Sequence, residues 1–568
     1  MKLFQTKNRL VEFFLIVFLS AFFVILYFYP LIKNINSSLL NGVKNTEQFI
    51  FIWNFWHFDQ AVKSGDSIFY TDKIIDLKKH NLYLHTSALW QTITTVFLGN
   101  KYIARFNFSF LLSHFLTIIF CFYFFRKLEF NFLFSAFGSL LFNFSSYRLG
   151  LYIHLNIANV EFFPLFFLLL FHFLDNPNIL NSVWISVVMV IQYFSEYNYF
   201  VFMHFSILIC FATYWFFDKN KTFVFMKYLC LIYFLCIAAV FPFLKNALIE
   251  AFDMKKSIHI SFIRTLDYCL DLFAPIIPDC LTGLFSKKIY GHRFNAYLGV
   301  PIIFSMLYFL KNLLQKKIRD KNLIIVFILF ALFFILSLGG SLHIFGSKAI
   351  NTKYGILLPY FILNKLPLLN SAQVASRFFI IPQLCAVIIF IYVLKIFYQK
   401  KFFYIVYFLV VVCFMEFAFL KKYTLYNPTV PEYYNVIKND KNNFSILEIP
   451  VHRDYLDYQY YQIFHEKKIF GSGHLSRINY EKHTGFLEFI PYNSINLEYY
   501  KGIKKLKFKK DFFDFEMIKS IYNTKYVILH KNQSISIEQY NYLKNELYKS
   551  GYPVSVYCDD LIMKLGGK

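Results

Sequence analysis

The chain has 568 residues and a formal net charge of +24, with 57% hydrophobic and 16% charged residues; its mean hydropathy is +0.46. That balance excludes an ordinary soluble enzyme, a disordered chain, a collagen-like fibre and a disulfide-stapled secreted domain. The positive charge collects in loops between apolar blocks, acidic residues are scarce within those blocks, and no nucleic-acid-binding module accompanies it.

A bilayer span needs about 20 mostly apolar residues. The apolar blocks predict an α-helical polytopic membrane protein of about eleven transmembrane helices. In order they run roughly 11–29, 103–125, 132–146, 157–174, 180–195, 200–217, 228–244, 297–311, 322–339, 378–397 and 402–420. The first has the look of a signal peptide, but its apolar run is too long and no small-residue cleavage site follows, so it reads as a retained span. The third is short and is expected to tilt, bend or be shielded by its neighbours.

The loops give a direction. Lys2, Lys7 and Arg9 precede the first span, and the short loops at Arg126-Lys127, 218–227, 311–321 and 399–401 are also basic. Positive residues collect in cytoplasmic loops, which puts the N-terminus in the cytoplasm; the loop at 175–178 is the exception, with no positive charge. The opposite loops, 30–102, 245–296 and 340–377, are long. With an odd number of spans, residues 421–568 follow as an extracytoplasmic domain. Its pattern predicts a strand at 444–449, a helix at 455–464, a strand at 525–530, an amphipathic helix at 536–549 and a final hairpin within 552–565, together a small α/β domain.

The first outer loop is the richest in candidate chemistry. Glu47, Asp59, Asp66 and Asp72 follow the first span, and Gln48, Phe49, Ile52, Trp53, Phe55 and Trp56 recur near helical spacing. One reading is an amphipathic helix lying in the membrane interface with its Trp rings at headgroup depth. The other is a carboxylate held at the membrane surface as a general base. Sugar transfer from a lipid phosphate needs such a base for the acceptor hydroxyl, and cations to offset charge on the departing phosphate. Arg148, Arg264 and Arg377 are expected on the same side, where an Arg either snorkels to the interface or forks onto phosphate.

His154, Asn156 and Glu161 form a polar cluster after the short third span. A continuous helix would put His154 and Glu161 on one face. Glu161 and Glu196 enter apolar spans, where a carboxylate must be paired or face a polar cavity. The glycines of Gly471-Ser472-Gly473-His474 suit a plain turn or a close approach of backbone to a ligand. There is no Walker loop, no dinucleotide fingerprint and no HExxH. The nine cysteines lack metal spacing, and no set of oxygen ligands for a divalent metal can be assembled.

Several of these pieces recur in order in a known group. They are Glu47-Gln48 through Trp53-Asn54-Phe55-Trp56, the Ser146 to Pro164 string, Tyr297-Leu298-Gly299, the Leu358 to Phe378 run, Gly473 to Arg477 and Lys525 to His530. The chain resembles bacterial membrane proteins of the YfhO-like group, which look like glycosyltransferases of the GT-C superfold. The resemblance implies a bacterial cytoplasmic membrane protein of the cell envelope and a polyprenyl-phosphate sugar donor. The acceptor would be a glycan or lipid. The catalytic carboxylate would lie in the first outer loop, with Trp53, Trp56, Arg148, His154, Asn156, Glu161, Arg264 and Arg377 as substrate-binding candidates. Glu47 stands where the pattern has Asp, which keeps Asp59 and Asp66 as alternatives for the base. A transporter or flippase for a lipid-linked intermediate, or a non-catalytic envelope assembly factor, is the competing reading.

Overall fold

The computed structural model describes residues 2–257, 268–278, 296–348, 355–363, 374–419, 423–451, 455–475, 485–491, 494, 512–531 and 535–565. Each of the eleven expected spans falls on a helix. These are α1 (Lys2–Lys33), α3 (Tyr102–Lys127), α4 (Phe132–Asn143), α5 (Phe162–Asp175), α6 (Ile179–Ser195), α7 (Tyr197–Phe217), α8 (Lys219–Ser257), α9 (Val300–Leu314), α10 (Lys321–Ser337), α11 (Ile380–Gln399) and α12 (Phe403–Phe419). Between the first two lies α2 (Gln48–Ser64).

Six largely helical stretches among the described residues are long and apolar enough to cross a membrane: Arg9–Lys33, Tyr102–Lys127, Leu155–Asp175 (interrupted at 159–161), Tyr197–Phe217, Phe223–Ile249 and Ala375–Gln399. Four shorter apolar helices, α6, α9, α10 and most of α12, pack with them. The short third span is confirmed as short: α4 has 12 residues, about 18 Å of helix against a hydrocarbon core of about 30 Å. It lies against α3 and α11, which shield it.

Helix ends follow local chemistry. Asn131 caps α4 by accepting from Phe134 N at 2.9 Å, and Asp320 caps α10 by accepting from Asn322 N at 2.8 Å. Arg126 and Lys127 close α3, where cations oppose the helix dipole. Lys127 also forms an ion pair with Asp175, so the loop at 175–178, which has no positive charge of its own, borders a basic turn.

The described parts of the long loops and of the C-terminal segment gather at the other end of the bundle. Strand β1 (Leu39–Leu40) pairs antiparallel with β2 (Leu425–Tyr426), directly after the last helix of the bundle. The backbone of 270–272 bonds to Ser337 and His343, and the Tyr147 hydroxyl donates to Ser376 O at 2.9 Å.

The C-terminal segment builds a mixed five-stranded sheet. In chain order its strands are β3 (Ser445–Ile449), β4 (Lys468–Phe470), β5 (Thr524–Leu529), β6 (Val554–Tyr557) and β7 (Asp560–Lys564), arranged β6-β7-β5-β3-β4. Strand β3 lies between β4 and β5 and is parallel to both, whereas β7 is antiparallel to β5 and β6. Every residue of β3 is buried, as a strand covered on both faces requires. Helix α13 (Leu456–His465) makes the crossover from β3 to β4, and α14 (Ile537–Lys549) precedes the hairpin. The expected α/β elements are all present.

The hydrophobic core of this unit is not made by the C-terminal segment alone. Trp53, Trp56, Ile74, Ile75 and Leu82, from the long stretch between α1 and α3, belong to it. Helix α2 is therefore clasped between α3 of the bundle and α13 of the C-terminal unit. This corrects the interfacial reading. Gln48 through His57 are all buried, and the Trp rings face protein rather than headgroups. The apolar periodicity was real, but its partner is a segment some 400 residues later in the chain, since Trp53 Nε1 donates to Gln462 Oε1 at 2.7 Å over a separation of 409 residues.

Candidate functional site

Glu47 occupies the N-cap position of α2 and makes no capping bond with its side chain. The carboxylate is thus free to point elsewhere while the positive end of a 17-residue helix lies behind it. It points at His154: Oε2 lies 3.0 Å from Nδ1. Protein crowds this pair, yet 55% of the Glu47 side-chain surface is open, against 17% for His154. Crowding pushes the Glu47 pKa up. The charge and hydrogen bond of His154, and then the charges of His474 and Arg377, pull it down further, to about 2. Glu47 is ionised at any physiological pH, in a recess that water can reach. Its openness means that solvent screens these charges in part.

Arg377 comes from the opposite end of the sequence pattern. It lies in the short 3-10 turn Ala375–Phe379 that opens α11, half-buried. Its guanidinium has no ion-pair or hydrogen-bond partner among the described residues, and its charge reaches Glu47 as well as Tyr147 and Tyr199. Tyr147 anchors that turn through its bond to Ser376 O. Glu47, His154 and Arg377, placed in three separate stretches, thus converge at the loop end of the bundle.

The other sequence candidates are elsewhere. Asp59 lies twelve residues along α2 from Glu47, about 18 Å at 1.5 Å per residue. It pairs with Arg105, whose Nη1 is 2.8 Å from Oδ2 and whose side chain is fully buried. Asp66 lies just past the C-cap Gly65, exposed, and accepts from Ser64 Oγ at 2.6 Å. Trp53 and Trp56 are sealed in the junction with the C-terminal unit, so no substrate reaches them. Arg264 lies outside the described residues.

Arg148 is also sealed, at 0% exposure. It donates to Asn143 Oδ1, to Ser113 Oγ at 3.0 Å and to Ala158 O at 3.4 Å, and Ser113 in turn donates to Glu161 Oε2. The expectation that His154 and Glu161 share one helical face fails. The helix Leu155–Ala158 breaks at Asn159, whose ψ is 89°, and α5 starts afresh after Glu161. The break turns His154 out toward Glu47 and Glu161 inward toward Ser113. Arg148 ties both sides of this break together, so it braces the turn that carries His154. Asn156 serves the same turn: it donates to Glu196, whose carboxylate also caps α7 by accepting from Asn198 N. Glu196 lines an aromatic cleft, partly open to solvent, with Tyr83, His85, Tyr193, Tyr197 and Phe200.

His474 is among the groups that bear on Glu47 through space; 427 positions separate the two in the sequence, and no local pattern links them. Among the described residues, no three His, Cys, Asp or Glu side chains are grouped as metal ligands. No protein-family model matches the chain, and none of the curated proteins is similar enough to count as a relative.

Proposed function

We propose that the protein is a membrane-embedded glycosyltransferase of GT-C type. It transfers a sugar from a polyprenyl-phosphate donor to a glycan or lipid acceptor of the cell envelope, on the outer face of a bacterial cytoplasmic membrane. The observation that carries this reading is the water-accessible Glu47 carboxylate, 3.0 Å from His154 and within range of the Arg377 charge, at the end of the bundle where the long loops collect. The six long apolar helices support the membrane setting, and the basic turns at the opposite end favour a cytoplasmic N-terminus. The order of motifs shared with the YfhO-like group adds support.

In this reading Glu47 takes the proton of the acceptor hydroxyl. The hydroxyl oxygen forms its bond to the anomeric carbon as the bond from that carbon to the phosphate oxygen breaks. Polyprenyl phosphate leaves with the electron pair, and Arg377 and His154 offset its charge. A carboxylate held near pKa 2 is a weak base while the site is empty. Binding of a phosphate shares the cations and lets the Glu47 pKa rise toward the range a base needs.

The test is transfer from radiolabelled polyprenyl-phosphate sugars by the full-length protein in nanodiscs, with envelope lipid and glycan extracts as acceptors. Glu47→Gln, nearly isosteric, is expected to lose about 100-fold or more in rate with the melting temperature unchanged. Wild-type rates in that variant would refute the assignment. A second reading, transport or flipping of the lipid-linked intermediate, draws on the sealed Arg148 network, since ionisable groups inside a bundle also mark transport paths. Lipid scrambling in proteoliposomes that persists in Glu47→Gln would favour it.

A further inference from the structure

We propose that the bundle binds an anionic phospholipid at the end away from the Glu47 recess, between the turn that joins α9 to α10 and the turn that joins α11 to α12. The inference rests on the membrane setting of the reading above and not on its chemistry.

Three observations carry it. First, the two turns stand side by side. Val300 N, at the start of α9, donates to Glu416 Oε2 of α12 at 3.1 Å, and the Tyr297 hydroxyl donates to Glu416 Oε1 at 3.0 Å. From that shared point α9 runs to Leu314 and α12 runs back to Phe403, each over about 20 Å at 1.5 Å per residue. Helix α9 also keeps level with α11: the rings of Tyr308 and Phe397 lie 5.1 Å apart, within one turn of Lys311 and Lys400.

Second, the cations of these turns are unmatched. Lys316, Lys317 and Arg319 follow α9, Lys400 and Lys401 precede α12, and all five are exposed. None of them pairs with a carboxylate among the described residues. Asp320, the one acid within 311–321, is engaged in capping α10, where it accepts from Asn322 N at 2.8 Å and Leu323 N at 3.3 Å. Where α3 ends, by contrast, the cations of the same bundle end are matched: Arg126 pairs with Glu12 at 3.0 Å, and Lys127 pairs with Asp175.

Third, the helix faces that lead to these turns are apolar and uncovered. Leu307, Leu310 and Leu314 of α9 are exposed, Leu314 at 76%, and so are Tyr404, Phe408 and Val411 of α12, Tyr404 at 91%. Each set recurs at helical spacing and forms a stripe along its helix. Unmatched cations at the head of two apolar stripes fit a molecule with a negative head and apolar chains. That is a phospholipid of net negative charge, in the leaflet that the reading above makes cytoplasmic. Tyr404 stands at headgroup depth beside Lys400 and Lys401, as an aromatic residue at the membrane–water boundary does.

The experiment titrates the full-length protein in detergent with phosphatidylglycerol, zwitterionic phosphatidylethanolamine and chain-free glycerophosphate, read by native mass spectrometry. A cation near an anionic head is worth about fivefold in binding, so the wild type should prefer phosphatidylglycerol to phosphatidylethanolamine by about tenfold or more. The preference should shrink as salt is raised. Lys316→Gln, Lys317→Gln and Arg319→Gln together should reduce it to about twofold, whereas Lys316→Arg with Lys317→Arg should keep it, because charge carries the contact. No preference in the wild type overturns the proposal without any variant, and so does a preference that survives the triple substitution. Glycerophosphate bound as tightly as the lipid also overturns it, since the apolar stripes would then contribute nothing. The triple variant alters no residue of the Glu47 recess, so a protein that prefers the anionic lipid and transfers no sugar upholds this site and refutes only the enzyme.

Discussion

His530 shows how a single buried residue sets the pH range of a domain. Its Nε2 lies 2.7 Å from Glu448 Oε2 and its Nδ1 lies 3.0 Å from Asp560 Oδ2. Both ring nitrogens can donate only in the imidazolium form. Burial pushes its pKa down, but hydrogen bonds and charge from Asp560 and Glu448 win, and it rises to about 9. An unfolded chain returns histidine to about 6.5. The resulting stabilisation is full below about pH 6.5 and fades as pH climbs through about 9. Pulse proteolysis in urea, following the C-terminal fragment, should show the domain weaker at pH 9.5 than at pH 6, by a difference on the order of 3 kcal/mol. His530→Gln should abolish the difference; a pH slope that survives the substitution would assign it to other groups. At this scale the sequence was only partly readable. Glu47 stood out because acids follow the first span and precede a Trp-rich helix. His530 was seen only as the end of a strand, because its two partners come from strands 82 and 30 positions away. The sequence suits Arg148 to a phosphate ligand because an arginine near a membrane end looks the same in sequence whether it faces water or a buried Ser113–Glu161 pair.

Elements were far more legible, because their causes are local. Each of the eleven apolar blocks falls on a helix, and the strands expected at 444–449 and 525–530 lie within a residue of their pattern, whereas β4 has no counterpart in it. Helix α14 is a clear case. Ser536 Oγ accepts from Gln539 N at 3.1 Å, and Gln539 Oε1 accepts from Ser536 N at 3.0 Å, a capping box written as Ser-x-x-Gln. Ser536→Ala should cost about 1 kcal/mol, read as faster hydrogen exchange over 537–541 with little change in β5. Equal protection in the variant would mean that the cap contributes nothing. What local pattern does not reveal is the partner of a face. Helix α2 carries a helical stripe of aromatic residues that a membrane interface or a protein core could cover equally well. Its burial by α13 depends on where β1 and β2 pair, and that contact closes a stretch of almost 400 residues. The broken segment at 155–161 was misjudged for a related reason. Its residues favour a continuous helix, but Arg148 bonding to Ala158 O and Tyr199 bonding to Ile157 O at 2.9 Å stabilise the break.

On the scale of the whole molecule, the two parts of the chain are joined through a shared core rather than a flexible tether. Trp53 is the centre of that joint. It is fully buried and stacks nearly parallel on His57 at 5.0 Å, and its indole nitrogen donates to Gln462. The Gln462 side chain in turn donates to Lys73 O at 2.8 Å and Lys467 O at 2.9 Å, so one residue of α13 connects helix α2, the loop behind it and the sheet. Around this centre lie the Asn45–Leu456 and Asn45–Asp457 bonds beside Glu47, and the Lys468–Asp72 ion pair at 2.6 Å. The geometry of Glu47 is therefore coupled to the docking of a domain that begins near residue 423. Truncating Trp53 to Ala removes a buried aromatic and leaves Gln462 Oε1 without its donor, a cost of about 3–5 kcal/mol. That cost falls on the joint, because the bundle keeps its own core of α3, α4, α5 and α11. Hydrogen exchange on Trp53→Ala in nanodiscs should show α2 and α13 opening together while α3 and α11 stay protected. The same variant should lose polyprenyl-phosphate binding although it alters no charged residue. If α13 opens and phosphate affinity is untouched, the domain is merely attached near the site; if the two change together, the domain is part of the site.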